Sequence, residues 1–206
     1  GRKMNEPNGI IKLSQIPGYD STTPDQSSSI SEFFKIISAG LIGESQHMVS
    51  SSITGYACLV FEFKNELDSG ILMDIYDTIE LYLTSNSREI VKSAIGFTKV
   101  CVLGLPEELM RPKVPELLLK LLRWSHEHTG HFKAKVKHII ERLIRRFGYD
   151  YIEANFPEED RRLLTNIRKM RNRNKRKDEE VTTGVSDVAA TKGSRFMSAF
   201  DEAVYG

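Results

Sequence analysis

The sequence predicts an all-α fold: a HEAT/armadillo-like α-solenoid with a basic C-terminal helix and an extended tail. Three observations predict it. Apolar residues recur at helical spacing over most of residues 29–170. No stretch alternates apolar and polar residues between hairpin turns, so a sheet is not expected. One segment also repeats another: "SITGYACLV" at Ser52–Val60 and "SAIGFTKVC" at Ser93–Cys101 align Ser, Gly, an aromatic and a later aliphatic residue 41 positions apart. A period of roughly 40 to 47 residues built from paired helices is that of HEAT and armadillo units, each of which needs a neighbour to cover its apolar face.

Residues 1–28, with "PNG" and "IPGYDSTTPDQSSS", lack periodicity and read as linker or insertion. The opening "GRKMNEP" has no initiator Met and no signal-peptide pattern, and reads as the trimmed start of something longer. HEAT-like repeats, about three helical pairs, are expected over residues 29–148. Ser29 and Glu32 fit a capping box ahead of a helix with Ile30, Phe33, Phe34, Ile37 and Leu41 on one face. Removing earlier repeats would bare that face at Phe33 and Phe34, so the isolated chain is expected to aggregate or to need a partner. A second helix is expected from Gln46 to Phe63, a third from Asp68 to Leu83, and a fourth after Asn86 with Glu89 at its third position. Gly55 and Gly96, each about 1 kcal/mol worse than Ala inside a helix, mark either a close helix approach or a helix end.

Pro106 and Pro115 suit first helical turns, with Pro112 punctuating between them, and Val114, Leu117, Leu118, Leu121 and Leu122 form one stripe. The run "HFKAKVKHIIERLIRRF" then puts Phe132, Val136, Ile139, Ile140, Leu143 and Phe147 on one face, and Gly148 is the expected stop. A basic C-terminal helix is expected within residues 149–177, opened by Pro157 and the acids after it. Leu163, Leu164, Ile167 and Met170 would dock it. Residues 178–206 read as a disordered linker carrying a short docking peptide with Phe196, Phe200 and Val204 at apolar spacing; a frayed terminus fits the same residues.

The net charge of +1 conceals segregation. Residues 1–110 hold 8 basic and 14 acidic residues, residues 111–177 hold 19 and 8, and residues 178–206 hold 2 and 6. Residues 161–177 alone contain nine cations and no acid. Solvated helix faces usually balance their signs, whereas like charges crowded together are relieved by a polyanion whose counterions they displace. Nucleic-acid binding is therefore the leading reading, through Lys133, Lys135, Lys137, Arg142, Arg145 and Arg146 on one helix and Arg168, Lys169, Arg171, Arg173, Lys175, Arg176 and Lys177 on the next. Lys135, Arg142 and Arg146 would share a ridge flanking the apolar stripe. No aromatics interleave the cations, so backbone and shape contacts are expected, not base stacking. The run "KMRNRNKRK" also fits a nuclear localisation signal, and the two roles are compatible.

Other chemistry finds little support. His126, His128, His131 and His138 cluster, but without a Cys or carboxylate at zinc spacing, so no metal site is expected. No nucleophile elbow, phosphate-binding glycine loop or two-metal acidic cluster occurs, so neither a catalytic residue nor a cofactor is expected. Cys58 and Cys101 lie in apolar runs and read as buried, reduced thiols of an intracellular protein. No run approaches the roughly 20 apolar residues that span a bilayer, so no membrane association is expected.

The segment "SREIVKSAIGFTKVCVLGLPEELMRPKVPELLLKLLRWSHEHTGHFKAKVKHIIERLIRRFGYDYIEANFPEEDRRLLTNIRKMRNRNKRK", residues 87–177, closely resembles the C-terminal conserved part of the ribosomal RNA processing protein twelve family. The ending "FDEAVYG" is also similar to that family's tail, whereas residues 1–28 match nothing in it. The resemblance implies a long, non-enzymatic HEAT-repeat scaffold of nucleus and nucleolus, with possible shuttling to the cytoplasm. Its implied partners are pre-rRNA, small-subunit assembly factors and ribosomal proteins, with Ran GTPase and nucleoporins reached through the full-length protein. It implies work in small-subunit precursor particles, pre-rRNA processing and nuclear export. A second reading, a nuclear transport adaptor whose solenoid binds cargo or a GTPase while the basic run serves only as import signal, fits the same residues.

Overall fold

The computed structural model of the chain describes residues 10–11, 26–27, 30–127, 133–183, 199–200 and 204, with side chains at 33–34, 36–123, 133–173, 199–200 and 204. Its helices are α1 (Ile30–Leu41), α2 (Gln46–Phe63), α3 (Ser69–Glu80), α4 (Arg88–Gly104), α5 (Glu107–Met110), α6 (Val114–Glu127), α7 (Lys133–Phe147), α8 (Tyr149–Ala154) and α9 (Arg161–Thr183). Three 3₁₀ turns, Leu81–Thr84, Arg111–Lys113 and Glu158–Asp160, join or extend them. Within the expected linker a two-residue antiparallel ladder sets Ile10 opposite Ser27 and Ile11 opposite Gln26.

The helix boundaries follow from local chemistry. Asp68 caps α3 by accepting a hydrogen bond from the Gly70 amide at 2.8 Å. The fourth helix is capped one residue later than the sequence predicts: Ser87 Oγ, not the Asn86 side chain, accepts from the Ile90 amide, which puts Glu89 at the second helical position. Helix α7 ends at Gly148, whose φ of +87° and ψ of 153° no residue with a Cβ adopts cheaply. The chain then turns straight into α8, a short helix that the sequence reading merged with the last one; Ile152 and, just beyond it, Phe156 are buried. Helix α9 begins after Pro157 and a 3₁₀ turn and runs on to Thr183, beyond the expected end at residue 177.

Two layers of helices result. Helices α2, α4 and α7 pack side by side, the α2–α4 contact being the most extensive, while α1, the turn after α3, and α6 form the second layer. The links between layers and neighbours recur with one period. Tyr82 donates to the Leu41 carbonyl, Ser87 to Gln46, Ser50 pairs with Ser93, Lys120 with Glu80, and Tyr151 donates to the Arg111 carbonyl, at sequence separations of 41, 41, 43, 40 and 40. Each unit therefore touches its successor through equivalent positions, which is the physical content of a helical-repeat solenoid.

One continuous core runs through the stack, from Ile53 and Val60 on α2 through Ile95 and Phe97 on α4 to Leu117, Leu121, Ile139 and Leu143, and on to Leu164 and Ile167 of α9. The close helix approach expected at a glycine occurs at Gly55, where an added Cβ would lie 3.3 Å from Ile37 Cδ1 of α1. Phe33 and Phe34 are only half-buried, Phe34 stacking on Tyr56 at 5.7 Å, and the exposed apolar side chains at this end include Ile36, Ile42 and Met48. Cys101 is buried as expected but Cys58 is exposed, because α2 turns its Ala57, Leu59 and Val60 faces inward and leaves position 58 outside. Among the described residues no helix is long and apolar enough to cross a membrane.

Candidate nucleic-acid interface

Helix α7 is held by its buried face of Val136, Ile139, Ile140, Leu143 and Ile144, which fixes where its six cations point. Lys133 and Arg145 are exposed. Lys135 and Arg142 are half-buried on the side toward α4, where they meet Lys92 and Lys99. Burial and then the charges of Arg142 and Lys135 push the Lys99 ammonium below its ordinary pKa. Burial and Lys92 lower Lys135 in the same way, and burial and Arg145 lower Arg142. Lys137 is half-buried and approaches Glu141 at 3.8 Å, an i,i+4 contact along its own helix.

Arg146 does something else. Its Nη1 donates to the Val102 carbonyl and its Nη2 to the Leu105 carbonyl, and the guanidinium lies 5.6 Å from the Phe147 ring. Val102 lies in the last turn of α4 and Leu105 is the residue just past its end, where helix carbonyls lack intrahelical amides. The ridge expected from Lys135, Arg142 and Arg146 is thus divided: two of its members face the α4 cations, and the third is consumed as a helix cap.

On α9, Leu164 and Ile167 are buried and Leu163 is half-buried against the core, while Met170 is 45% exposed and outside the core. Of the four residues expected to dock α9, Met170 is the one that the core does not take in. The Arg168 guanidinium stacks over the Tyr149 ring at 4.7 Å, which ties α9 to α8. Lys169, Arg171 and Arg173 are exposed on the stretch that leaves the core. The side chains of Lys175, Arg176 and Lys177 lie outside the described residues, although the backbone there is helical.

The C-terminal peptide seats on this chain's own α2–α4 face. Phe200 meets the Phe61 ring edge-on at 5.7 Å, Val204 is buried, and Lys99 Nζ donates to the Val204 carbonyl at 3.0 Å. Gly96 is small for this reason: a Cβ there would sit 3.0 Å from Val204 Cγ1, so the close approach is to the tail and not to another helix. Phe196 lies outside the described residues, as do His126, His128 and His131 in their side chains. His138 is exposed, 3.9 Å from Glu141, and no group of potential metal ligands occurs among the described residues.

Sequence reasoning missed Lys92 and Lys99, which stand apart in an apolar helix and form no charge run. The signal was the repeat itself, since Lys135 lies 43 residues after Lys92 and Arg142 lies 43 after Lys99, the separation of the paired Ser50 and Ser93. Neighbouring units place their cations side by side.

No family model matches the sequence. Curated proteins do. Over the whole chain it is 99% identical to Ribosomal RNA-processing protein 12 of Saccharomyces cerevisiae, of which it covers 17%. A correspondingly named protein of Schizosaccharomyces pombe is 40% identical over 85% of the chain and 15% of its own length. The RRP12-like protein of Homo sapiens is 32% identical over 74% of the chain and 12% of its own length. The chain thus spans less than a fifth of each relative it matches. The chain belongs to the ribosomal RNA-processing protein 12 family.

Proposed function

We propose that this chain is a non-catalytic scaffold segment that holds pre-rRNA in small-subunit precursor particles of the nucleus and nucleolus, and so supports rRNA processing and nuclear export. The observation that carries the reading is α9. Among the described side chains its last buried apolar residue is Ile167, yet the helix continues to Thr183 through a run of cations, with Lys169, Arg171 and Arg173 exposed. A helix that leaves its core gains nothing from burial, so its extended basic stretch is a surface for a partner. The names of the relatives, ribosomal RNA-processing proteins, supply the class of that partner. Recognition is by phosphate contacts and by the shape of the helix pair α7 and α9, with Lys133, Lys135, Lys137, Arg142 and Arg145 adding to the field of the α9 cations. The same surface supports assembly factors and ribosomal proteins as neighbours within the particle.

Replacing Arg171, Arg173, Lys175 and Arg176 together by Gln in the intact protein tests it. RNA affinity falls, and its dependence on salt flattens by about 0.7 in log–log slope for each phosphate of a single strand that is no longer neutralised. Unchanged affinity and slope, with the protein merely absent from the nucleus, would show the run to be an import signal only.

A further inference from the structure

The C-terminal segment and the α4–α7 cations share one surface. Lys92, Gly96 and Lys99 lie along a single stripe of α4, at spacings of four and three residues. Lys92 and Gly96 line a groove of about 220 Å³ together with Ser50 and Thr54 of α2, and Phe200 and Val204 of the tail form another part of its wall. Lys99 is only 2% exposed although it carries an ammonium, and it donates to the Val204 carbonyl. An ammonium so enclosed, beside other cations, requires an acceptor. The tail supplies it, and it seats closely enough that Gly96 leaves no room for a side chain. Asp201 and Glu202 lie in sequence between the two anchors. A main-chain carbonyl offers an ammonium the same kind of acceptor as a phosphate oxygen.

We propose that the segment anchored by Phe200 and Val204 is an intramolecular cover that competes with RNA phosphates for the stripe formed by Lys92, Lys99, Lys135 and Arg142, so that these anchors leave the α2–α4 face before RNA is held on α4. This rests on the RNA-binding reading above. With the tail seated, Lys99 is sealed and Lys92 shares its groove with the tail residues Phe200 and Val204. With the tail released, two cations of α4 join two of α7 as a contiguous site. Affinity for RNA is then set by two factors, the intrinsic contacts and the fraction of molecules whose cover is off, and any partner that captures the tail raises RNA affinity without touching RNA.

The test uses the intact protein and a 20-nucleotide polyuridine RNA, with binding followed by fluorescence anisotropy across a salt series. Four forms are compared: parent, deletion of residues 199–206, K92E/K135E, and the deletion combined with K92E/K135E. The proposal expects the deletion to tighten binding about three- to tenfold and to steepen the salt slope by about 0.7 per phosphate newly neutralised. It expects K92E/K135E to erase that gain. A synthetic peptide of residues 196–206 added to the deleted form restores parental affinity, whereas the same peptide with V204D does not; this second measurement guards against a deletion that simply loosens the fold. If the deletion leaves affinity and slope at parental values while K92E/K135E lowers them, the face binds RNA and the cover is refuted. If neither changes RNA binding, the cover falls and so does the RNA reading of this face. Tighter binding of an acidic peptide in place of RNA on tail removal would equally overturn it, by assigning the stripe to a protein.

Discussion

Replacing Arg146 separates the two roles that its charge allows. Its guanidinium donates to the Val102 and Leu105 carbonyls, and both residues are 1% exposed, so water does not readily take its place. A hydrogen bond from a charged group contributes about 1.5 to 3 kcal/mol, and a buried acceptor left without a donor costs about 1 to 3 kcal/mol. The two describe the same effect from opposite sides and are not added, but there are two such bonds, so the undiscounted sum is about 3 to 6 kcal/mol. Arg146 is itself half-exposed and regains hydration when unfolded, so Arg146→Met, which keeps the stem against Phe147, is expected to cost about 2 to 4 kcal/mol. Arg146→Lys keeps the charge near the C-terminal end of α4 but only one donor direction, and falls between. The assay is hydrogen exchange by mass spectrometry on the intact protein, which reads local opening free energies without requiring the stack to unfold as one unit. Amides of the last turns of α4 and of α7 should exchange faster by the factor that this cost implies, while Arg145→Ala, made beside it, leaves exchange unchanged and lowers RNA affinity instead. If Arg146→Met leaves exchange within about 0.5 kcal/mol of the parent and weakens RNA binding as Arg145→Ala does, the capping argument is wrong and Arg146 belongs to the interface.

Two further outcomes follow from single residues. Gly148→Ala costs about 1 to 3 kcal/mol although nothing lies within 4 Å of the added methyl, because the whole cost is in the backbone; Gly148→Asn gives no rescue, since Asn favours the left-handed helical region and not a φ of +87° with a ψ of 153°. Thermal melts of the three proteins decide this, equal stability of Gly148→Asn and parent being the contrary result. Burial raises the Glu80 carboxyl above 4.5, against the opposing hydrogen bonds from Lys120 and Tyr76. The folded state then holds its proton more tightly than the unfolded chain, so this group's contribution to stability declines as pH rises from 4.5 through the folded value. Urea midpoints of Glu80→Gln should be flatter than the parent's over that window, and parallel curves would refute the assignment.

The layers of the fold were legible because they are written in periodicity. The apolar stripes of α1, α6 and α7, the start at Asp68 and the stop at Gly148 are local signals, and the 41-residue echo is the sequence trace of a contact between units. What was not legible was set by neighbours. Ser87 displaced Asn86 as a cap because its hydroxyl also reaches Gln46 Oε1 at 2.8 Å, a contact across one repeat. Helix α8 is too short to show a period, Met170 fits the stripe but stays outside the core, and Cys58 sits in an apolar run whose local rotation leaves it outside. At the candidate site, a charge count found the cations of α7 and α9 but could not tell Arg145 from Arg146, since adjacent residues on a helix differ in direction and only the α4 carbonyls decide which one is used.

The placement of Lys92 and Lys99 against Lys135 and Arg142 bears on why the charge is there at all. Charge runs in a disordered tail keep their cations apart by flexing, whereas a solenoid holds equivalent positions of successive units at one spacing. Cations that recur 43 residues apart on α4 and α7 are therefore held together by the fold, and the pKa values of Lys99 and Lys135 are lowered first by burial and then by these neighbouring charges. Such an arrangement costs free energy in the isolated protein, and nothing in the packing of α4 on α7 demands it, since that contact is made by the apolar faces of both helices. A cost imposed by rigid geometry is offset only by something that presents negative charge at matching intervals. The tail carbonyl on Lys99 offsets part of it within the chain. A phosphate backbone laid across both helices, as the proposed RNA role requires, would offset more of it.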